Sequence, residues 1–320
     1  MFTKMIVEQY KKMAYGRCDD TGDVFFFSAA DFEELNVERY VFPSSLGHEL
    51  HGYLYSYENP IPGRLVVFDH GMGAGHEAYT KEIEMLCRAG YRVLSYDHTG
   101  CMLSGGEGTN GMAQSLHDLD DCFKAIKADP RFAGYDFSVV GHSWGGFSTL
   151  NISALHPEIS HVVVFSGFVS VEKLIESYFG GLLKGCRKHI MALERERNPD
   201  YVDFDAVKTL QNTHAKVLLI YSDDDKLCKK NPHYDALAAG LAGKENVEIM
   251  LVKGKGHNPN YTADAVAYKD AFFAELTKQR KKYPNKTLEQ KAAFVADYDW
   301  DRMTAQDEAV WAKVFEALKK

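Results

Sequence analysis

The chain has 320 residues, of which 45% are hydrophobic, and its 37 basic and 45 acidic side chains give a net charge of −8. A chain of this length buries a large core, and one domain with an insertion fits it as well as two domains do. The acidic balance and the lack of a long basic block exclude nucleic acid as an expected partner. No run approaches about 18 uncharged apolar residues, so no membrane span is expected. The six cysteines are scattered without a C-x-x-C pair, which favours reduced thiols and a cytoplasmic location.

The first part of the chain predicts the beginning of a sheet. Residues 1–36 form an N-terminal extension to which we assign no chemical role. Residues 37–42 and 49–57 have strand composition, and the connection between them has the glycine, proline and serine content of a turn. A β-hairpin is therefore predicted where the body of the protein begins.

A short apolar strand at residues 64–69 ends in a glycine loop, His70-Gly71-Met72-Gly73-Ala74-Gly75-His76. Such a loop is typical of a dinucleotide-binding turn or of an oxyanion loop, and a plain turn is the third alternative. The dinucleotide fingerprint requires a third glycine where His76 stands. An oxyanion loop requires a backbone N–H group that turns towards the charge on a carbonyl oxygen. The candidate nucleophile downstream favours the oxyanion interpretation.

A helix predicted at about residues 112–128 carries three acidic residues, Asp118, Asp120 and Asp121. They could be read as a metal site or as a solvated helix face. Adjacent positions on a helix point in different directions and no partner ligand is evident, so we expect a solvated face. Cys101, in the loop before this helix, has no base at a recognisable spacing and is expected to be a free thiol.

The sequence Gly141-His142-Ser143-Trp144-Gly145-Gly146 follows an apolar strand at residues 137–140 and precedes a helical pattern. A G-x-S-x-G turn between a strand and a helix lifts a serine hydroxyl into the open, where a base can take its proton. Glycines are needed because the backbone is tightly wound and the following helix packs close to the sheet. Ser143 is therefore a candidate nucleophile, and the alternative is a glycine-rich connection without chemistry.

Two later strands, at residues 216–221 and 247–252, end in the residues that a serine nucleophile requires. The first runs into Asp223-Asp224-Asp225 and the second into Gly256-His257. A histidine takes the serine proton and returns it to the leaving group, while a carboxylate fixes the histidine tautomer. We expect Asp225 to be that carboxylate, because it stands at the far side of its turn, where the chain faces the histidine loop. Asp223 and Asp224 are expected to be solvated neighbours.

Apolar strands alternate with helical segments through residues 37–167 and 214–277, and parallel strands need such long crossovers. This pattern predicts an α/β fold with a mostly parallel central sheet and helices on both faces. The alternation stops at residues 168–213, an amphipathic helical segment that we interpret as a cap over the site. The alternative is a helical excursion that packs elsewhere. The candidate pocket residues from the glycine loop and the cap are His70, Gly71, Phe168, Tyr178, Phe179 and Leu183.

With these pieces in this order, the chain resembles the α/β-hydrolase superfamily, and most of all the branch of monoacylglycerol lipases, lysophospholipase-like enzymes and carboxylesterases. The matching pieces lie between about residues 37 and 277 and are His70-Gly71-Met72-Gly73, Asp97-x-x-Gly100, Gly141 to Gly146, Asp225 and Gly256-His257. The loop after Asp97 departs from the family pattern, because it lacks the usual arginine and His-Gly.

The resemblance implies a serine hydrolase that cleaves a small-molecule carboxylic ester through an acyl-enzyme, without a metal or an organic cofactor. Ser143 would be the nucleophile, Asp225 the acid and His257 the base. The backbone N–H groups of Met72 and Trp144 would be the oxyanion donors.

The family also contains thioesterases, acyltransferases and peptidases, so the fold does not decide the substrate. A peptidase of the prolyl aminopeptidase kind needs acidic groups in the cap, where four stand: Glu172, Glu176, Glu194 and Glu196. An alternative from another class is a catalytically silent protein that binds a small ligand.

The hydrolase pattern does not explain residues 278–320, a C-terminal helical extension. Thr304-Ala305-Gln306-Asp307 has the form of a capping box, and an apolar stripe follows it at Val310, Trp311, Val314, Phe315 and Leu318. We expect the stripe to pack on its own chain, with a homodimer contact as the second choice and peripheral membrane attachment as the third.

Overall fold

The computed structural model describes residues 2–319. Met1 and Lys320, the outermost residues of the two predicted extensions, lie outside the described residues. The remainder of both extensions is described.

Within residues 2–319, eight strands form one sheet. Their bounds are β1 (Asn36–Pro43), β2 (Glu49–Ser56), β3 (Arg64–Asp69), β4 (Arg92–Tyr96), β5 (Asp136–His142), β6 (His161–Phe165), β7 (Lys216–Ser222) and β8 (Val247–Val252). The six strands with bounds predicted from the sequence, β1, β2, β3, β5, β7 and β8, each begin and end within two residues of the prediction. The strand order is β1-β2-β4-β3-β5-β6-β7-β8. β1 and β2 form the predicted antiparallel hairpin, β2 also pairs antiparallel with β4, and all the other pairs are parallel.

The described part of the chain has twelve α-helices. They are α1 (Phe2–Ala14), α2 (Thr80–Arg88), α3 (Gln114–Ala128), α4 (Ser143–Asn151), α5 (Val171–Tyr178), α6 (Arg187–Arg197), α7 (Ala206–Asn212), α8 (Asp235–Gly240), α9 (Ala263–Lys282), α10 (Leu288–Ala296), α11 (Trp300–Met303) and α12 (Glu308–Leu318). No helix within residues 2–319 is both long enough and apolar enough to cross a bilayer.

Helices cover both faces of the sheet, because the apolar strands are buried on both sides. On one face, buried side chains of α3 and α4 pack in a single cluster with side chains of β3, β5 and β7. On the other face, α2 and α12 pack in a second cluster with β3, β5, β6 and β7. The predicted fold class, an α/β fold with a mostly parallel sheet and helices on both faces, is confirmed.

The C-terminal apolar stripe packs on its own chain, as expected. Trp311 is fully buried and lies 5.8 Å from Phe165 of β6, measured between ring centroids. Val310, Val314 and Leu318 are buried in the same cluster. Residues 308–318 therefore form part of the body of the protein, because they complete the cover of β6 and β7.

Residues 168–213 form α5, α6 and α7 with irregular turns between them. We call this stretch the cap segment, after the role predicted for it. The N-terminal helix α1 packs against it: the Tyr10 ring lies 6.1 Å from the Phe179 ring, and the Tyr10 hydroxyl donates to Glu194 Oε1 at 2.6 Å. The N-terminal extension thus covers part of the cap segment.

Candidate active site

Ser143 stands at the junction of β5 and α4, in the strand-to-helix turn that the sequence predicts. Its φ of 57° lies in the left-handed region, which costs free energy for a residue with a Cβ and is typical of residues held for function. The turn requires glycine on either side. A Cβ on Gly141 would collide with the Thr149 hydroxyl, and a Cβ on Gly145 would collide with the carbonyl of Asp69.

The structure brings Ser143, His257 and Asp225 together in one hydrogen-bonded chain. His257 Nδ1 lies 2.8 Å from Asp225 Oδ2, and His257 Nε2 lies 2.8 Å from Ser143 Oγ. An ionised carboxylate only accepts hydrogen bonds, so Nδ1 carries the proton and Nε2 is free to accept from the serine hydroxyl. This is the arrangement in which a histidine can act as a general base towards a serine.

Asp225 is buried, and both of its carboxylate oxygens are held. Oδ1 accepts the backbone N–H groups of Leu227 at 2.8 Å and Cys228 at 3.1 Å, while Oδ2 faces His257. Burial opposes ionisation, but the hydrogen bond and the charge of His257 and the backbone N–H of Leu227 prevail and lower the pKa of Asp225. The carboxylate is therefore ionised and fixed beside the imidazole.

Asp223 and Asp224 are exposed, as expected, but they also hold the histidine loop. Asp223 Oδ1 accepts the Gly254 N–H at 3.0 Å, and Asp224 Oδ1 accepts the Gly256 N–H at 2.8 Å. The two aspartates therefore join the turn after β7 to the loop after β8, and Gly256 directly precedes His257.

His142 supports the same loop from the nucleophile side. His142 Nε2 lies 2.7 Å from the carbonyl oxygen of His257, so Nε2 carries the proton and donates to it. His142 Nδ1 then accepts from the Tyr79 hydroxyl at 2.7 Å. Burial and the neighbouring His257 lower the pKa of His142 to about 3, which keeps the ring neutral. His142 is thus a fixed strut between the Ser143 turn and the His257 backbone.

The predicted oxyanion loop lies against the nucleophile. A Cβ built on Gly71 would come within 3.3 Å of the Ser143 Cβ, so the loop approaches Ser143 as closely as a glycine allows. His70 is fully buried; its Nδ1 donates to the Gly71 carbonyl at 2.8 Å, and its Nε2 accepts the His98 N–H at 3.0 Å. Met72 follows Gly71, and Trp144 is the second residue of α4, where backbone N–H groups lack partners within the helix. The role of both N–H groups as oxyanion donors stays a prediction.

Behind this loop lies a buried ion cluster that the sequence did not reveal. His98 is fully buried between two carboxylates, with Nε2 3.0 Å from Asp69 Oδ1 and Nδ1 3.2 Å from Asp118 Oδ2. Burial opposes the charge on His98, but Asp69 and Asp118 prevail and raise its pKa to about 10. The His98 ring also lies 4.7 Å from the ring of Trp144, the residue after Ser143.

The expectation of a solvated face at Asp118, Asp120 and Asp121 is wrong, because all three carboxylates are buried. Besides His98, Asp118 binds Thr99 and Gln114, each at 2.7 Å. Asp120 accepts hydrogen bonds from His156 and Tyr201 on other elements, and Asp121 accepts from Ser44 and Ser45. Both also pair with Lys124 of the same helix. A helix carries several buried acids when each one finds a partner on a different element. Among residues 2–319, no group of three or more His, Cys, Asp or Glu side chains is placed to hold a metal ion.

The candidate cap residues have different environments. Phe168 is buried and stacks on Phe147 of α4 at 4.7 Å, whereas Tyr178 is 43% exposed and donates to the carbonyl of Leu227 at 3.1 Å. Phe179 and Leu183 are half-buried. Tyr178 therefore contacts the turn that contains Asp225, and the pocket role of all four residues stays a prediction.

The acidic residues that a peptidase of this fold would use are not equivalent. Glu172 and Glu196 are exposed, and exposed Glu176 pairs with Arg187 at 3.2 Å. Glu194 is buried and accepts the Tyr10 hydroxyl at 2.6 Å and the Met112 N–H at 2.8 Å. Its carboxylate oxygens are thus occupied by α1 and by the loop before α3.

The C-terminal extension holds the histidine loop from the far side. The buried ammonium group of Lys255 pairs with Asp307, which is also the N-cap of α12. Asp307 N–H donates to Asn260 O at 2.8 Å, and Thr262 N–H donates to Ala305 O at 2.9 Å. Sequence reasoning missed these contacts, because their residues belong to no recognisable motif. It also missed the hydrogen bonds of His142, because the G-x-S-x-G motif assigns no partner to that position.

Comparisons with known proteins agree with the fold. Residues 60–202 match the family model of serine aminopeptidase S33, a segment that holds the glycine loop and Ser143 but ends before Asp225 and His257. A solved structure of the Pyrococcus furiosus esterase Pf2001 superposes with a TM-score of 0.60 at 16% identity, covering 84% of this chain and 98% of that protein.

Two curated relatives match shorter segments. One is the uncharacterized protein YqkD of Bacillus subtilis, 25% identical over 138 residues, which are 43% of each chain. The other is 2-hydroxy-6-oxo-6-(2'-aminophenyl)hexa-2,4-dienoic acid hydrolase of Metapseudomonas resinovorans, 33% identical over 113 residues, 33% of this chain and 36% of the relative. The chain thus spans less than half the length of these relatives. The strand order and the match to the solved esterase structure show that the chain has the α/β-hydrolase fold.

Proposed function

We propose that the protein is a serine hydrolase that cleaves carboxylic esters through an acyl-enzyme. The observation that carries this proposal is the hydrogen-bonded chain from Ser143 Oγ through His257 to Asp225, in which both links are 2.8 Å long. The left-handed backbone at Ser143 supports it, because such a conformation is costly and persists where the surroundings impose it.

In this mechanism, Ser143 Oγ attacks the ester carbonyl carbon while His257 Nε2 takes the hydroxyl proton. His257 then gives that proton to the leaving alcohol, which departs and leaves an acyl group on Ser143. A water molecule repeats the sequence with the acyl carbonyl and releases the acid. Asp225 stabilises the imidazolium that forms in each half, and the Met72 and Trp144 N–H groups would hold the developing oxyanion.

We further propose that the cap segment covers the site and selects medium or longer apolar acyl groups. Its contact with the acid turn, from Tyr178 to Leu227, and the half-buried side chains of Phe179 and Leu183 support this. Similarity to the Pyrococcus furiosus esterase favours an ester substrate, and assignment to the lipase and carboxylesterase branch is part of the proposal. The free thiols of all six cysteines fit a cytoplasmic location.

A second candidate is an aminopeptidase, which the matched family model favours. Recognition of a substrate ammonium group requires a carboxylate that faces the site, and Glu194 instead binds Tyr10 and Met112. Comparing aminoacyl amides with p-nitrophenyl esters on the purified protein separates the two candidates. A silent ligand-binding protein is disfavoured, because it has no need of the aligned Ser143, His257 and Asp225.

Turnover of p-nitrophenyl esters by Ser143→Ala tests the mechanism. We expect kcat to fall by about 10³-fold or more, because only binding and the oxyanion donors then remain. Ser56→Ala, at the end of β2, is the matched control and should keep normal activity. Near-normal turnover by Ser143→Ala would refute the mechanism.

A further inference from the structure

Two cysteines lie side by side next to the oxyanion loop. Cys18 follows α1, and Cys101 stands in the loop after β4. Their backbones pair as an isolated parallel bridge, in which Cys18 N–H donates to Gly100 O at 2.9 Å and Met102 N–H donates to Cys18 O at 3.1 Å. Residues paired in this way have Cα atoms about 5 Å apart, which is within the range that a disulfide spans.

The two thiols differ in accessibility. Cys101 is fully buried, while Cys18 is partly exposed. The neighbouring Cys101 thiol, with a smaller contribution from the Gly73 N–H, lowers the pKa of Cys18, although burial opposes this. The neighbouring Cys18 thiol, together with burial, raises the pKa of Cys101. Cys18 is thus the accessible thiolate, and Cys101 is the thiol that keeps its proton.

The sulfur pair is coupled to the candidate active site through the backbone. Met102, whose N–H donates to Cys18 O at 3.1 Å, stands beside Gly75 of the 70–76 loop, which also holds Met72, one of the proposed oxyanion donors. The loops on either side are packed without free space: a Cβ on Gly75 would come within 2.5 Å of the Met102 side chain, and His76 N–H donates to Asp97 Oδ1 at 2.9 Å. A change at the sulfur pair therefore reaches the loop that faces Ser143.

We propose that Cys18 and Cys101 are a redox-modification site, at which a peroxide forms a reversible disulfide that lowers the hydrolytic activity. Cys18 thiolate attacks the peroxide O–O bond, which yields Cys18 sulfenic acid and hydroxide. The Cys101 sulfur then attacks the Cys18 sulfur, an S–S bond forms, and the sulfenic oxygen leaves as water with the Cys101 proton. Two thiols lose two electrons and hydrogen peroxide is reduced to two molecules of water.

The disulfide lowers activity because drawing the two sulfurs together moves the backbone around Cys101 and Met102, which packs against Gly75. The 70–76 loop is then displaced from the position that the oxyanion requires at Met72. This part of the inference rests on the proposed function, whereas formation of the bond does not.

The test treats the reduced full-length protein with hydrogen peroxide, maps the disulfide by mass spectrometry of peptides, and measures kcat/KM for a p-nitrophenyl ester. We expect a Cys18–Cys101 linked peptide, a fall of about tenfold or more in kcat/KM, and recovery with dithiothreitol. Cys18→Ser should form no such link and should resist peroxide. Cys186→Ala, which removes a buried thiol before α6, should behave like the parent protein.

Two results would overturn the inference: absence of the linked peptide, or a linked protein with unchanged kcat/KM. A third, loss of activity in peroxide by Cys18→Ser equal to that of the parent, would place the sensitive group elsewhere and overturn it too. If the reduced protein hydrolyses no ester, the proposed function fails, and the peptide map still decides whether the bond forms.

Discussion

The loops at the strand ends and the cap segment that contacts them are built in opposite ways. The loops after β3, β4, β7 and β8, together with the Ser143 turn, are here called the strand-end loops. They hold buried polar groups with several partners each, such as His98 and Asp225. The cap segment carries apolar side chains that are open to solvent, with Tyr178 43% exposed and Leu182 97% exposed. A buried polar group without a partner is costly, so the geometry of the strand-end loops is closely specified.

This difference separates two kinds of requirement. Reaction chemistry needs groups held within a fraction of an ångström, and a network of hydrogen bonds supplies that precision. Selection of an acyl chain needs an apolar surface of suitable size, which many side chains can supply. We therefore expect substitutions in the strand-end loops to change catalysis and stability, and substitutions in the cap segment to change substrate preference.

After Ser143→Ala, the largest loss of kcat is expected from a substitution in the turn that holds Asp223, Asp224 and Asp225. Asp225→Ala should lower kcat by about 10³-fold or more, because the His257 tautomer and its charged form both lose their partner. Asp223→Ala and Asp224→Ala each remove one hydrogen bond to the histidine loop and should cost about tenfold or less. Steady-state kinetics of the three variants decides the assignment; a mild Asp225→Ala beside a severe neighbour would contradict it.

The dependence of kcat/KM on pH below pH 7 also concerns Asp225. Since His257 and the Leu227 N–H lower the pKa of Asp225 despite its burial, this carboxylate stays ionised below the ordinary carboxyl range. Any loss of kcat/KM between pH 7 and pH 5 therefore does not come from protonation of Asp225.

The His98 cluster should make stability depend on pH on the alkaline side. Its folded pKa, raised to about 10 by Asp69 and Asp118 against the effect of burial, exceeds the value near 6.5 expected in the unfolded chain. The ion pairs thus contribute fully below about pH 6.5 and lose their contribution as the pH rises through about 10. Urea unfolding at pH 6, 8 and 10 measures this, and Asp118→Asn should flatten the decline; parallel curves for the two proteins would contradict the ion-pair account.

The ion pair between Lys255 and Asp307, here called the clamp, should show how far the C-terminal extension controls the position of His257. Lys255→Met leaves the Asp307 carboxylate without its ion-pair partner, so we expect the free energy of unfolding to fall by about 1–3 kcal/mol. A shifted His257 loop should also lower kcat/KM by about tenfold. The matched control is Lys253→Met, which changes an exposed lysine two residues earlier. Equal effects of the two variants would show that the clamp does not position the loop.

The smallest effect is expected in the cap segment, where Leu183 and Leu182 form a matched pair. Leu183 is half-buried and Leu182 is 97% exposed. If the segment binds the acyl chain, each buried CH₂ contributes up to about 0.8 kcal/mol, several-fold in kcat/KM per methylene. Across p-nitrophenyl esters of increasing length, Leu183→Asp should remove the preference for intermediate chains and Leu182→Asp should keep it. A parent profile that peaks at acetate would refute the acyl-selecting cap.

Much of this organisation could be predicted from the sequence, because local signals carry it. The apolar strands, the glycine loop and the Ser143 turn can each be recognised from residue type and spacing. Their order along the chain predicted the parallel sheet and placed Asp225 and His257 at its carboxyl edge. The burial of Asp118, Asp120 and Asp121 could not be predicted, since their partners lie on other elements: Asp118 meets His98 of the loop after β4, Asp120 meets Tyr201 of the cap segment, and Asp121 meets Ser45 of the hairpin turn. Charge in a sequence indicates exposure only when no partner is available, and partners far along the chain leave no local trace.

The proposal that Ser143 is the nucleophile is tested most directly by covalent labelling with a fluorophosphonate probe and mass spectrometry of the labelled peptides. We expect one adduct per chain, on the peptide that contains Ser143, and no adduct in Ser143→Ala. Asp225→Ala should be labelled at the same serine but far more slowly, because the base has lost its partner. Absence of labelling in the folded parent protein, or an adduct on another residue that persists in Ser143→Ala, would show that Ser143 is not the nucleophile.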